Sequence, residues 1–456
     1  MAIKKDRNNT SGGSSVASAS SSVEELLLAA LERGGDSLET GRYLVTFKEG
    51  AVEEGLQSLG AQGQGMRVAD ARDFEDQVLK MEDVGDAEAV VLPEIGVALI
   101  GGEAAQARSM SAFAEVASDS PVLSIDHEYF VFPSGFGEYM YQEEFVQDAG
   151  SNPKDSLRSL ARILELIADE VYGAGQPQLK SEEEAMVLGA TWGLTACRVP
   201  HSLRSGAGIK VAVLDTGMDI VGTGHPDFGG RPIISRTFVG QPVQDLHSHG
   251  THCIGTACGP QSPAGTTPRY GIAYRSSIFA GKVLSNSGGS VGFSVLSGMN
   301  WAIAQRCEVI SMSLGGSGGP VPAYTAAGQT ALNNGLLIIA AAGNERSPTG
   351  QPANSPTIMS VASLDKNLTP SIFSNFGKVE IAAPGRDVFS SVPRPTRYGI
   401  KSGTSMAAPH VAGIAALWAE SSPNLRGMAL WNRLRQTARR LPFPATRVGA
   451  GLVQAP

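Results

Sequence analysis

Met1 to Ser22 is polar and serine-rich, with no apolar position recurring at a helix or strand period, and is expected to be disordered. Val23 to Arg33 then reads as one short helix. From Arg42 the pattern changes to the alternation RYLVTFKEG, a strand, followed by a helical stretch from Val52 to Leu59 that stops at Gly60. Further strands are predicted at Met66 to Asp70 and Ile95 to Ile100, then a helix from Ala104 to Val116 and a last strand in VLSIDHEYFVFP. Strand, helix, strand, strand, helix, strand is the order of a small split βαβ unit, and it fills Gly41 to Pro133.

Ser134 to Leu188 carries Gly and Pro at both ends and one amphipathic helix in its middle. Asp155 caps that helix, Leu157, Leu160, Leu164, Ile167 and Val171 form its apolar stripe, and Gly173 ends it. The acidic run Glu182 to Glu184 reads as a solvated face. From Thr191 onward the pattern is different. IKVAVLDTG, SIFAGKVL, CEVISMSLGG and GLLIIAAAGNE are apolar runs without alternation, separated by helical segments. Such strands are buried on both faces, which predicts an α/β unit with a parallel sheet covered by helices on both sides. In sheets of that kind the chemistry gathers beyond the carboxyl ends of the strands.

The chain has 456 residues, more than one core can fill. The expected division is 1–40, a disordered start with one short helix; 41–133, the small α+β unit; 134–188, a linker; and 189–456, the α/β unit. A charged fraction of only 18% and 55 glycines fit a globular enzyme with many tight turns. The formal net charge of −8 provides no broad basic footprint, so nucleic acid is not an expected partner. Four cysteines without CxxC spacing, Cys197, Cys253, Cys258 and Cys307, read as structural thiols. Leu26 to Leu31 is too short and too closely flanked by charge for a secretory signal or a membrane span. The expectation is therefore no membrane partner, and either a cytoplasmic location or export by a non-standard route.

Three segments stand at or near strand ends: VLDTG with Asp215, SHGTHCIG with His249, and SGTSMAAPHVAG with Ser405. Each alone has other readings. DTG also surrounds the aspartate of aspartic proteases, which need a second such carboxylate. Asp245, His247, His249 and His252 can be read as a metal site, and a serine in a Gly-rich turn is commonly just a turn residue. Taken together, and in this order, the three resemble the signature segments of the subtilisin (S8) family of serine peptidases, from about Thr191 to the closing GAGLVQA.

The resemblance implies a subtilisin-like fold preceded by a ferredoxin-like prodomain, Gly41 to Pro133, acting as folding template and intramolecular inhibitor. It implies a catalytic triad in which His249 removes the Ser405 proton and Asp215 orients His249. Asn344 matches the family's oxyanion-hole asparagine, with the Ser405 backbone N–H as second donor. Pro409, early in the same helix, would free a carbonyl of the first turn. Ser313, Leu314 and Gly315 resemble the edge that pairs with an extended substrate, Gly288 and Gly289 the opposing segment, and Ala341, Ala342 and Gly343 the wall of a pocket with room for a large apolar residue. Asp227 matches a frequent calcium ligand, but loop 259–270 (GPQSPAGTTPRY) offers no carboxylate to complete six to eight oxygens, so no cofactor is expected to be required. The implied partners are a protein or peptide substrate and the chain's own prodomain, in a monomer. Maturation is expected to cut first near Phe132 to Met140 and later before Trp192. Two competing readings stand beside this one: a binding protein whose cleft is permanently occupied by residues 41–188, and a metal hydrolase built on the histidine cluster.

Overall fold

The structure, a computed structural model, describes residues 23–32, 38–60, 67–74, 87–107, 119–133 and 189–456. The expected disordered start, the helix of residues 155–173, the acidic run 182–184 and the segment just past Pro133 lie outside the described residues.

The C-terminal unit is organised by seven parallel strands in the order β14-β13-β12-β10-β6-β8-β7. They are β6 (Lys210–Asp215), β7 (Ile233–Thr237), β8 (Ser277–Lys282), β10 (Val309–Met312), β12 (Leu337–Ala341), β13 (Met359–Leu364) and β14 (Ile381–Pro384). Four of them are the apolar runs named above. Helices α4 (His249–Cys258), α7 (Thr404–Ser421) and α8 (Gly427–Thr437) pack on one face through Ile254, Val411, Ile414 and Leu430. Helices α5 (Gly292–Ala304) and α6 (Pro322–Asn333) cover the other through Leu296, Met299, Ala327 and Ala331. A hairpin, β15 (Val388–Ser391) with β16 (Tyr398–Lys401), packs against α4.

The N-terminal unit comprises β1 (Glu39–Phe47), α2 (Val52–Gly60), β2 (Val68–Asp70), β3 (Ala89–Leu92), β4 (Val97–Ile100), α3 (Gly102–Ala107) and β5 (Val122–Pro133), preceded by α1 (Val23–Glu32). The sheet order β5-β1-β4-β3, with antiparallel pairing throughout, is the split βαβ arrangement; β2 adds as a parallel edge. Two details differ from the sequence reading. β1 starts at Glu39, three residues ahead of Arg42, and β3 is an additional strand between the two expected. AVVL is a four-residue apolar run buried throughout, too short to show a period.

Alternation in this sheet serves two cores. Val45, Phe47, Ala98 and Ile100 face α2 and α3, while Leu44, Val97 and Leu99 join the cluster formed by α5 and α6. At that second face lies a buried ion pair. Arg42 Nε and Nη2 donate to Glu128 at 2.6 and 3.0 Å, and Thr40 Oγ1 donates at 2.7 Å. Glu128 Oε1 also accepts the Phe293 N–H at 2.9 Å, so the N-terminal unit caps α5 of its neighbour at the positive end of the helix dipole.

Candidate active site

Asp215 ends β6 and His249 opens α4, so strand end and helix start bring the two together. His249 Nδ1 donates to Asp215 Oδ1 at 2.7 Å, and the Thr216 N–H donates to the same oxygen at 2.7 Å. This fixes the tautomer and leaves Nε2 as the basic nitrogen. Asp245 builds the start of α4. Its Oδ1 accepts the N–H groups of His247 and Ser248 at 2.9 Å, and its Oδ2 accepts the N–H and hydroxyl of Thr251 at 2.9 and 2.7 Å. A carboxylate so engaged is a cap, and His252 Nε2 is bonded to the Val388 carbonyl at 2.9 Å. With Asp245 engaged as a cap and His252 Nε2 on a carbonyl, Asp245, His247, His249 and His252 do not form a grouping within reach of one ion among the described residues. Among the described residues, Asp215, His249 and Cys253 are the grouping within reach of one ion. Cys253 is fully buried and its thiol pKa is pushed well up by that burial, which suits packing and not ligation.

Ser405 is the second residue of α7, at the positive end of its dipole, and is 1% exposed. Base and nucleophile meet the same thiol: Cys253 Sγ stands 3.9 Å from His249 Nδ1 and 3.6 Å from the Ser405 carbonyl. The Ser405 hydroxyl donates to the Ser313 carbonyl at 3.1 Å, and His249 Nε2 has no hydrogen bond. The serine–imidazole link is thus unmade in this conformation, as is common before a substrate tightens the site.

Asn344 follows β12. Its Oδ1 accepts both the N–H and the hydroxyl of Thr404, at 2.8 and 3.0 Å, which fixes the amide so that its NH2 is the end turned away from Thr404. Thr404 Oγ1 also takes the Gly343 N–H at 3.1 Å. Gly343 has φ +108° and a Cβ there would run into Asn375 Nδ2, so a side chain is excluded from this turn. Ala341 and Ala342 beside it are buried, Ala341 as part of the sheet core.

The cleft is occupied by the chain itself. β5 pairs antiparallel with β9 (Ser290–Val291) through Phe130 and Val131, and with β11 (Leu314–Gly315) through Phe132 and Pro133. Gly288 and Gly289 leave room for it: a Cβ on Gly288 would come within 3.3 Å of Pro133 and 3.1 Å of His247 Nε2, and one on Gly289 within 3.7 Å of Phe132. Val131 packs into the core shared with Leu314. On the outer face Phe130 and Phe132 gather with Val291 under Leu26 of α1, which is 1% exposed.

A calcium ion at Asp227, the ligand position to which the resemblance pointed, does not fit this donor set. Tyr270 donates to Asp227 Oδ2 at 2.6 Å, and the Tyr398 hydroxyl lies 3.1 and 3.0 Å from the two oxygens. Both carboxylate oxygens therefore face phenol hydroxyls, which a cation would have to displace. The phenols belong to an aromatic cluster, with Tyr398 stacked on Phe389 at 5.6 Å and edge-on to His225 at 5.8 Å. It fastens the β15–β16 hairpin to the turn that carries Asp227.

Of the residues singled out in the sequence, the structure brings Asp215 and His249 together, ties Asn344 to Thr404 next to Ser405, and seats β5 on Leu314 and Gly315 and beside Gly288 and Gly289. Sequence reasoning missed the side-chain work of Thr404, Thr216 and Ser313, and it named Asp245 only in the alternative metal reading, not as a cap. An Asp at the entry of a helix, three residues ahead of Ser248, was the available signal for a cap.

A parallel sheet bearing Asp215, His249 and Ser405 beyond its strand ends defines an α/β protein with a Ser–His–Asp constellation. The Peptidase S8 model, described as the subtilase family, matches residues 206–451. Subtilisin NAT of Bacillus subtilis subsp. natto is 36% identical over 260 residues, covering 54% of this chain and 65% of that protein. The subtilisin of Bacillus pumilus is equally identical over 260 residues, with 90% of it covered. A crystal structure of a cold adapted subtilisin-like serine proteinase superposes with a TM-score of 0.51 at 32% identity, over 59% of this chain and 98% of that one. The chain belongs to the subtilase family.

Proposed function

We propose that this protein is a serine endopeptidase made as a self-inhibited zymogen. Ser405 is the nucleophile, His249 the general base, and Asp215 the group that orients the imidazole and stabilises its charged form. The Asn344 amide and the Ser405 backbone N–H stabilise the oxyanion of the tetrahedral intermediate, and the acyl-enzyme is then hydrolysed by water. The observation that carries the reading is β5, an extended strand hydrogen-bonded between β9 and β11 and leading toward Ser405, as an extended substrate would be.

The N-terminal unit is thus the inhibitor, and the first maturation cut falls within residues 132–140. The pairing of Pro133 with Leu314, one step short of Ser313, favours a cut close behind Pro133. Ala341, Ala342 and Gly343 wall the pocket for the residue before the cut. No metal is required at Asp227, whose oxygens already face two phenols.

The same occupied cleft also suits a binding protein that never releases β5. Intact mass spectrometry of the full chain and its Ser405→Ala copy separates the two. The zymogen reading expects the wild type alone to shorten from its N-terminal side and to label with an active-site phosphonate. If both chains stay whole and neither labels, the binding-protein reading stands.

A further inference from the structure

Pro409 lies inside α7, and a proline has no N–H to give to the carbonyl four residues before it. That carbonyl belongs to Ser405. It is not left without a donor: Ser313 Oγ donates to it at 2.7 Å, and the Cys253 thiol approaches at 3.6 Å. Ser405 returns a hydrogen bond from its own hydroxyl to the Ser313 carbonyl at 3.1 Å. Ser313 and Ser405 are both buried, so neither bond is exchanged freely with water. Ser313 also immediately precedes Leu314 and Gly315, the strand on which the extended β5 is seated.

We propose that the Ser313 hydroxyl is a positioning residue for Ser405. It supplies, from the peptide-binding edge, the donor that Pro409 withholds, and so fixes the backbone that aims the nucleophile. A strand seated on β11 and the orientation of Ser405 are then coupled through one side chain. This goes beyond backbone pairing with substrate, and it rests on Ser405 being the nucleophile.

The test uses the full chain as wild type, Ser313→Ala, Ser313→Thr, Pro409→Ala and the Ser313→Ala/Pro409→Ala pair. Each is followed, once its intact mass has stopped changing, by phosphonate labelling rate and by kcat and KM on one small peptide substrate. Ser313→Ala should lower kcat and the labelling rate by about tenfold, the worth of one buried hydrogen bond, with KM unchanged. Ser313→Thr keeps a hydroxyl and should retain most of the activity. The decisive comparison is the double variant, because Pro409→Ala restores a helical N–H for the Ser405 carbonyl and should recover most of what Ser313→Ala loses. A Ser313→Ala chain with wild-type kcat, a loss confined to KM, or a double variant no better than Ser313→Ala overturns the proposal. A wild-type chain that never labels instead refutes the nucleophile assignment on which it rests.

Discussion

The two large sheets of this molecule are built on opposite terms. The parallel sheet is made of strands that, the edge strand β7 apart, are buried on both faces and flanked by helices of its own unit, and its chemistry hangs on strand ends and helix starts. The antiparallel sheet is completed by strangers: β9 and β11 belong to the C-terminal unit and join it only through β5. The first sheet needs nothing from the second to place Asp215, His249 and Ser405. The second borrows two edge strands from the C-terminal unit and gives α5 of that unit a helix cap in return. A strand held on such terms can be given up without dismantling the machinery it covers.

The largest way to break that asymmetry is at the buried ion pair. Arg42→Ala leaves Glu128 as an uncompensated charge, a loss of about 3–5 kcal/mol. Hydrogen exchange should then rise in β1, β4 and β5 while β6 and β10 stay protected; equal loss in both sheets would contradict the picture. Asn344→Ala attacks the other side. It should lower kcat by about 100- to 1,000-fold, the effect measured for the equivalent loss in a subtilisin, with little change in KM, and should lower the melting temperature too, because the buried Thr404 N–H and hydroxyl lose their acceptor.

A smaller effect comes from pH. His247, beside Gly288 and Pro133, is held neutral with its pKa pushed down to about 4, first by burial and then by neighbouring His249. Released into water it would take a proton near pH 6.5. The covered state is therefore at full strength above about pH 6.5, and weakens as pH falls toward about 4, by at most about 1.4 kcal/mol per unit. His410 in the core of α7 is also pushed down to about 4 by burial, but its proton uptake requires unfolding. On Ser405→Ala protein, whose N-terminal unit stays attached, hydrogen exchange in β9 and β11 should thus rise at higher pH than the core melts, the core being followed by near-UV circular dichroism. Smallest of all is chelation. EDTA should leave the melting temperature unchanged, whereas Asp227→Ala should cost about 1.5–3 kcal/mol with or without added calcium.

Legibility followed the same divide. β6, β8, β10 and β12 announce themselves as apolar runs, and each triad residue sits in a short segment whose chemistry is local. β7, IISRT, is an edge with exposed Ile234, and β3 is four residues long, so neither shows a usable period. Contacts made by chain segments far apart stay hidden in a sequence. Nothing near Asp227 reveals that Tyr398 will close on it, and nothing near Pro409 shows that Ser313 will answer for its missing N–H. The helix α1 was legible as one short helix, but not what it would cover.

That cover has a kinetic meaning. Because Phe130 and Phe132 carry α1 on their outer side, the cleft strand is enclosed front and back, and no arriving peptide can pair with β9 or β11 while it stays. On the zymogen reading proposed above, turnover begins only after departure, so the lag before the first product is set by an off-rate. Raising the substrate concentration leaves such a lag unchanged, which makes the molecule a timer as much as a lock.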